Sequence, residues 1–572
     1  MLLAVRALVF VMPASGSGLN SPALSEAWEA GVDDLPIPPL YQDPGLFLPA
    51  IRIAEACAQP PEQVTGIIVP HHLLAIDLMA RVFRIAGRFM PRRIILLAPD
   101  HFRRSRNPFA VCGRDMETCM GKVPAAKRAA MALARGRLVG VSSLFSHEHG
   151  VQAVLPFIAH HFPGTPVLAI AISTTATPSA WKRLWKLLEP LSGPGTLVIQ
   201  STDFSHGFDW ERARKKDQES LRVICSEDPA MTADLHQPAH VDSRGALFLQ
   251  MMFQKAIGNH PTVIDNRNSQ EYAPVGLTNS TSYISALYSR NDLGIVPKGT
   301  WMFAGDTFTG RFMATRLSQG VRGRALRAAA IGLTASRTVV LNLEGWISDC
   351  PGQPAGKQTP FRGSPPPALD LAMNGGTTIR LLKDLNVQTV ILANNHSLDG
   401  GISGRSSTRR ILEEHGITVV DRGETRDMGP FYLSALTDLD NFGPRKKALL
   451  SRFDLESLRR PPPGKPWFVF LHWGREWESH PGPREREIAG ALRSRGVELV
   501  IGCHPHVSGS VHLEAGFAQI FSLGNFLFDQ SGPRAGGCGL DLTFFRQGTY
   551  ALKVRQFGNL YSAPGSLKTT GK

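Results

Sequence analysis

Short apolar runs alternate with segments of helical periodicity along the first half of the chain. Val64–Val69, Ile94–Ala98, Val167–Ile172 and Leu197–Gln200 read as short buried strands. Met79–Ile85, Val151–His161 and Trp181–Leu188 read as the helices between them. Strands alternating with helices predict a mainly parallel sheet covered on both faces, an α/β/α sandwich. The grammar stops at the turn-rich stretch from Ser289 to Lys298 and then restarts. Thr300–Ala304, Val339–Leu343, Val387–Ala393, Trp467–Leu471, Val497–Ile501 and Ala518–Leu523 are the strands of a second α/β unit. Helices are expected at Ser406–His415 and Arg484–Arg495, each stopped by the glycine that follows, and around Gly375-Gly376. The division predicted is an extension over 1–35, a domain over 36–288, a linker over 289–299, a domain over 300–560 and a disordered tail over 561–572.

Size and composition agree with two globular units. A chain of 572 residues exceeds one ordinary core, and 43% apolar with 19% charged residues excludes a disordered chain. The net charge of +14 comes from scattered pairs such as Arg92-Arg93 and Lys215-Lys216, without a basic block or interleaved aromatics. That pattern predicts a solvated basic surface that draws in anionic small molecules or polymers rather than a nucleic-acid groove. Seven cysteines, Cys57, Cys112, Cys119, Cys225, Cys350, Cys503 and Cys538, contain no CxxC pair, so a zinc ribbon or disulfide framework is not expected and a reducing compartment fits. The opening MLLAVRALVFVMPASGSG is too short in its apolar run, and broken by Arg6, to cross a bilayer. A cytoplasmic location without a transmembrane anchor is expected, with export as the alternative should that stretch act as a signal.

In the first half, chemistry gathers where strands end. VPHH places His71 after the first strand, LAPDH places His101 after the second, and STDFSH places Asp203 and His206 after the fourth. Sites of open α/β sheets lie outside the carboxyl ends of strands, so these histidines are candidates for one cluster. Singly, each is also an ordinary loop histidine. EHG adds Glu148 and His149 before a helix, where a carboxylate also complements the helix dipole.

These motifs, with EHGVQAVLPF and NSTSY (Asn279–Tyr283), resemble the Memo family, also called protein B of the AmmeMemoRadiSam system. The family is similar in fold to LigB-type class III non-haem iron dioxygenases, and the resemblance implies a metal-capable pocket. By motif match, His71, His101 and His206 correspond to its site histidines, and Asp242 of VDSRGAL stands where the family often has cysteine. A carboxylate in place of a thiolate favours one iron or similar ion over copper. The implied role is of redox or oxygenase type. Glu148 is carried as a substrate-contact candidate.

The second half repeats the pattern. Strands lead to Asp306 in GDTFTGR, Glu344 in NLEG, Asn395, His396 and Asp399 in NNHSLDGG, His472 and Glu476 in HWGREW, His504 and His506 in LVIGCHPHV, and Asn525 in GNFLFD. In an extended segment side chains two apart point the same way, so His504 and His506 are expected to reach one point, with Cys503 turned away from His504. A mixed set of Asp, Glu, Asn and His on one rim suits two divalent metals. Asn394 and Asp399 are each explained equally by turn preference.

In that order, these motifs resemble the CapA family of poly-γ-glutamate capsule-synthesis proteins, which is similar in design to calcineurin-like metallophosphatases. The resemblance implies a two-sheet α/β/β/α sandwich with a dinuclear site. It implies Asp306, Glu344, Asn395, His396, His472, His504 and His506 as metal ligands or their neighbours, with Mn, Zn or Fe as metals. Two departures stand out: Phe308 occupies the place of the histidine in a DxH start, and Glu344 that of an aspartate. His396 or His472 is the expected general acid. Arg311 and Arg475 are candidates for holding an anionic substrate group, with surface charge as their alternative role. The function read from the sequence is metal-dependent hydrolysis of a phosphoester or related anionic capsule substrate; the alternative is a non-catalytic polyanion-binding scaffold.

Overall fold

The computed structural model describes residues 35–272, 279–348, 370–439, 450, 455, 458–514, 516–532 and 535–561. The extension before residue 35, Cys350 and the tail beyond Tyr561 lie outside the described residues.

The first half is built on a nine-stranded sheet. Val64–Val69, Thr196–Ser201, Arg93–Asp100 and Val167–Ser173 form its parallel centre. Their side chains divide between two cores: Ile94, Leu96 and Ala98 face one, Ile95 and Leu97 the other. Burial on both faces is why these strands read as unbroken apolar runs rather than alternating ones. Antiparallel strands extend both sides. Ser280–Ser289 runs beside Val64–Val69 and His260–Asn268 beyond it, and Phe109–Val111 runs against Val167–Ser173. The expected helix over Val151–His161 is two short ones, His149–Gln152 and Leu155–His161, with Pro156 opening the second.

The second half is a two-sheet sandwich. Thr300–Thr307, Thr338–Leu343, Val387–Ile391 and Thr418–Val420 are parallel neighbours in one sheet. Gly537–Phe544 and Tyr550–Phe557 extend it antiparallel. Tyr432–Thr437, Trp467–His472, Leu499–Cys503 and Phe517–Ile520 are the parallel strands of the other sheet. Phe303, Val340 and Leu540 from the first meet Phe468, Phe470 and Ile501 from the second in the shared core. Helices Gly320–Thr334, Gly375–Asp384 and Gly401–Glu414 lie against the outer face of the first sheet, and Pro483–Ser494 against that of the second. Gly416 and Gly496 stop their helices at φ +77° and +91°, a conformation glycine adopts without steric penalty.

The connector is packed rather than free: Leu293 is buried and Asp292 pairs with Lys553 at 3.6 Å. Helix Trp210–Ser226 seats against strand Tyr550–Phe557, so the halves share a buried boundary. There Asp217 accepts from Ser282 Oγ at 2.5 Å, Gln547 Nε2 at 2.9 Å and Asn266 Nδ2 at 3.2 Å. No helix among the described residues is long and apolar enough to cross a membrane.

Candidate metal centres

The parallel centre of the first sheet delivers three groups to one rim: His71, His101 and Asp203, each just past a strand. Asp242 arrives on the turn before helix Arg244–Ala256. His71 Nε2 lies 3.3 Å from Asp242 Oδ2 and 3.7 Å from Asp203 Oδ2, and His101 Nε2 lies 3.6 Å from Asp242 Oδ2. His149, which the motif reading left without a role, completes a triad: donor atoms of His71, His101 and His149 lie within 4.8 Å of one another. His206 is near enough for its charge to act on His71 and Asp242, but it stands outside that triad.

Glu148 is turned toward His101. It is 1% exposed, and Oε1 lies 2.7 Å from His101 Nδ1 while Oε2 accepts the His101 backbone N–H at 3.0 Å. It also caps helix His149–Gln152 through Gly150 N–H. Its work is to orient His101, leaving Nε2 aimed at Asp242. Burial pulls the His101 pKa down, but hydrogen bonds with Asp242 and Glu148 outweigh it and hold the imidazole up at about 10. Burial, then the His101 charge, depresses His149 to about 4 and His71 well below the usual range. Asp242 Oδ1 and His206 Nδ1 are buried without a hydrogen-bond partner. Such groups are costly to bury unless something coordinates them, and the mixed imidazole–carboxylate set suits a divalent ion.

The second rim lies where the two sheets of the sandwich meet. Asp306 closes on three neighbours: Oδ1 accepts from Asn342 Nδ2 at 2.8 Å, and Oδ2 accepts the His504 backbone N–H at 3.1 Å and lies 3.2 Å from His506 Nδ1. Asn342 is the register partner of Asp306 on the adjacent strand, so the two side chains share a face. Gly305 permits the approach of the opposite turn: a Cβ there would sit 1.9 Å from the Gly524 carbonyl oxygen.

Glu344 occupies the middle. It is 1% exposed, and neither carboxylate oxygen has a hydrogen-bond partner. His396 Nε2, His472 Nε2 and His506 Nε2 each stand 3.9 Å from its Oε1. Three imidazole nitrogens around an unpartnered carboxylate, too far from it for hydrogen bonds, leave room for an ion between them. Two rings are fixed through the opposite nitrogen: His506 Nδ1 meets Asn525 Oδ1 at 2.8 Å and His396 Nδ1 meets Asp399 Oδ2 at 2.8 Å. His472 Nε2 itself meets Asn395 Oδ1 at 2.8 Å, so the amide oxygen stands beside the same space. Donor atoms fall into two groups within 4.8 Å: Glu344 with His504 and His506, and Asp306 with His472 and Cys503.

Electrostatics separate the histidines. Burial pushes Glu344 up to about 8, with the Asp306 charge adding to it. Burial also opposes the charged form of His506, yet Glu344 and Asp306 hold it at about 9. Burial depresses His472 to about 3, which leaves it neutral near pH 7. His396 is raised instead: burial lowers it, and the hydrogen bond with Asp399 and the Glu344 charge more than offset this.

The two arginines divide. Arg311 Nε and Nη2 both donate to Asp529, at 3.0 and 2.7 Å, and its guanidinium lies 5.1 Å from the Phe308 ring. Bidentate pairs of this kind are among the stronger charge-assisted contacts. Arg475 is exposed on the loop after His472. The loop touches the histidine turn through Trp477 N–H, which donates to Pro505 O at 2.8 Å.

One expectation about the histidine turn is corrected. The strand stops at Cys503, and His504 and His506 have φ of +98° and +58°, so the pair is not extended. They converge through a turn of positive φ rather than through strand alternation. Cys503, still in the strand and the register partner of His472, faces Asp306 and His472 and is grouped apart from His504. Asn342 and Cys503 join Asn525 among the side chains of this centre; their signal is the register of neighbouring strands, which the sequence does not display.

Comparison with known proteins divides the chain the same way. Residues 300–429 and 455–530 match the family model of the bacterial capsule synthesis protein PGA_cap, and residues 48–286 that of Memo-like protein. The PGA biosynthesis protein CapA of Bacillus subtilis is 26% identical over 180 residues, 27% of this chain and 47% of its own length. The chain thus spans about half the length of that relative. A MEMO1 family protein of Thermotoga sp. (strain RQ2) is 25% identical over 202 residues, 33% of this chain and 73% of its own. A solved structure of an uncharacterized protein from Escherichia coli K12 aligns with 39% of this chain and 99% of its own, at 14% identity and a TM-score of 0.27.

Proposed function

We propose that this chain, which joins a Memo-like domain to a capsule-synthesis PGA_cap domain, uses its C-terminal rim as a two-metal hydrolytic centre. Its substrate class would be a phosphoester or a related anionic capsule polymer. The observation that carries this reading is Glu344: a buried carboxylate without a hydrogen-bond partner, ringed by three imidazole nitrogens at 3.9 Å. Asp306 and His472 would hold one ion, and His504 and His506 the other, with Glu344 between them and Asn395 beside His472. Divalent metals bound there would supply an activated water and polarise a phosphoryl oxygen.

The chain's own residues do the rest. Asn525 and Asp306 take the proton side of His506 and turn Nε2 toward Glu344. Asp399 fixes His396, whose raised pKa keeps a proton available for a leaving group. Arg475 offers an exposed guanidinium beside the histidine turn for an anionic substrate group. In the Memo-like half, His71, His101, His149 and Asp242 would hold a single ion such as iron, for a role of redox or oxygenase type.

A second reading, a non-catalytic polyanion-binding scaffold, is favoured by Phe308. It is fully buried and packs on Phe528 at 5.7 Å between ring centres, so it contributes no donor to the rim. The deciding experiment incubates the full chain, loaded in turn with manganese, zinc or iron, with a phosphodiester panel and poly-γ-glutamate. Turnover abolished by His504→Ala supports the enzyme. A metallated chain that binds the polymer and cleaves nothing supports the scaffold.

A further inference from the structure

Cys503 ends strand Leu499–Cys503, and its register partner on the neighbouring parallel strand is His472. Register partners on parallel strands present their side chains to the same face. Both residues are fully buried. The Cys503 thiol, a His472 ring nitrogen and an Asp306 carboxylate oxygen lie within 4.8 Å of one another. The group opens onto the Glu344 carboxylate, 1% exposed, without a hydrogen-bond partner and 3.9 Å from His472 Nε2. Phe308 offers this rim no donor atom, whereas Cys503 offers a sulfur.

We propose that Cys503 is a metal ligand, sharing with Asp306 and His472 a position that selects zinc, iron(II) or cobalt(II) over magnesium and manganese. Thiolate is the soft donor of the protein set, and such selection follows from ligand type rather than from charge alone. On binding, the thiol loses its proton to solvent and the sulfur bonds to the metal. The proposal rests on the metal reading of this rim and deepens it by naming the class of ion.

The test uses the full chain carrying His71→Ala, which removes a ligand of the other centre, loaded with cobalt(II). A sulfur-to-cobalt charge-transfer absorption in the near ultraviolet is expected. It should be lost in Cys503→Ser and in Cys503→Ala while both variants keep cobalt through the remaining ligands. Cobalt bound without that absorption, or an absorption that persists in both variants, overturns the assignment and leaves Cys503 a buried space-filler. Should neither variant fold, zinc K-edge absorption on the unaltered thiol decides: a sulfur in the zinc shell supports the proposal, and a shell of nitrogen and oxygen alone overturns it. A His71→Ala chain that takes up neither cobalt nor zinc overturns the parent metal reading, and this proposal with it.

Discussion

Gln218 and Tyr550 are joined by two hydrogen bonds across the boundary between the halves: the Gln218 amide donates to the Tyr550 carbonyl at 2.9 Å and accepts the Tyr550 backbone N–H at 2.9 Å. A side-chain amide here completes the edge of a strand. Removing it leaves a buried N–H and C=O unpaired, at about 1–3 kcal/mol for each such group. Gln218→Ala is therefore expected to lower the urea midpoint of the full chain by an amount worth about 2 kcal/mol. An unchanged midpoint would show that the boundary contributes nothing to stability.

Metal uptake at the C-terminal rim should release protons. His506 carries a proton up to about pH 9, and Glu344 is raised to about 8, while binding requires a neutral imidazole and an ionised carboxylate. Affinity therefore rises with pH from 7 through 9. Zinc titration calorimetry at pH 7 in two buffers of different ionisation enthalpy should give buffer-dependent heats, and Glu344→Gln should reduce the dependence. Equal heats in both buffers would rule out the protonation scheme.

Arg475 and Arg311 should behave differently. Arg475→Ala is expected to raise KM for an anionic substrate several-fold while leaving metal content and thermal stability unchanged. Arg311 is half-exposed and paired with Asp529, so Arg311→Ala should cost roughly 1 kcal/mol or less of stability and leave KM alone. The reverse pattern of KM effects would reassign the substrate contact.

Glu148 fixes the ring of His101 in the Memo-like half. Removal of such a supporting carboxylate typically lowers metal affinity roughly 10–100-fold. Glu148→Gln should weaken iron(II) binding in that range, measured by competition with a chelator in a Glu344→Ala background. Unaltered affinity would mean that His101 is not a ligand.

Much of this centre was legible because each ligand-type residue follows an apolar run, and neighbouring strand ends in a sheet converge. His71, His101, Asp306, Glu344 and His472 all obey that rule. What failed was geometry that depends on backbone dihedral angles. His504 and His506 reach the centre because their φ values are positive, which no periodicity reports. Cys503 reaches Asp306 and His472 through its register with the neighbouring strand, which periodicity within one strand does not report either. Partnerships between distant residues were equally hidden: nothing near Arg311 in sequence announces Asp529, and nothing near Asp217 announces Gln547. His149 was visible as a residue, but its role depended on the stacking that sets it 4.1 Å from His101, ring centre to ring centre.

If Glu344 serves two metal positions, elemental analysis of the full chain in a His71→Ala background shows it, after loading with zinc and removal of free metal. About two equivalents per chain are expected, falling by at least one in Glu344→Ala. The same metal content with and without Glu344, or less than one equivalent in both, would contradict it.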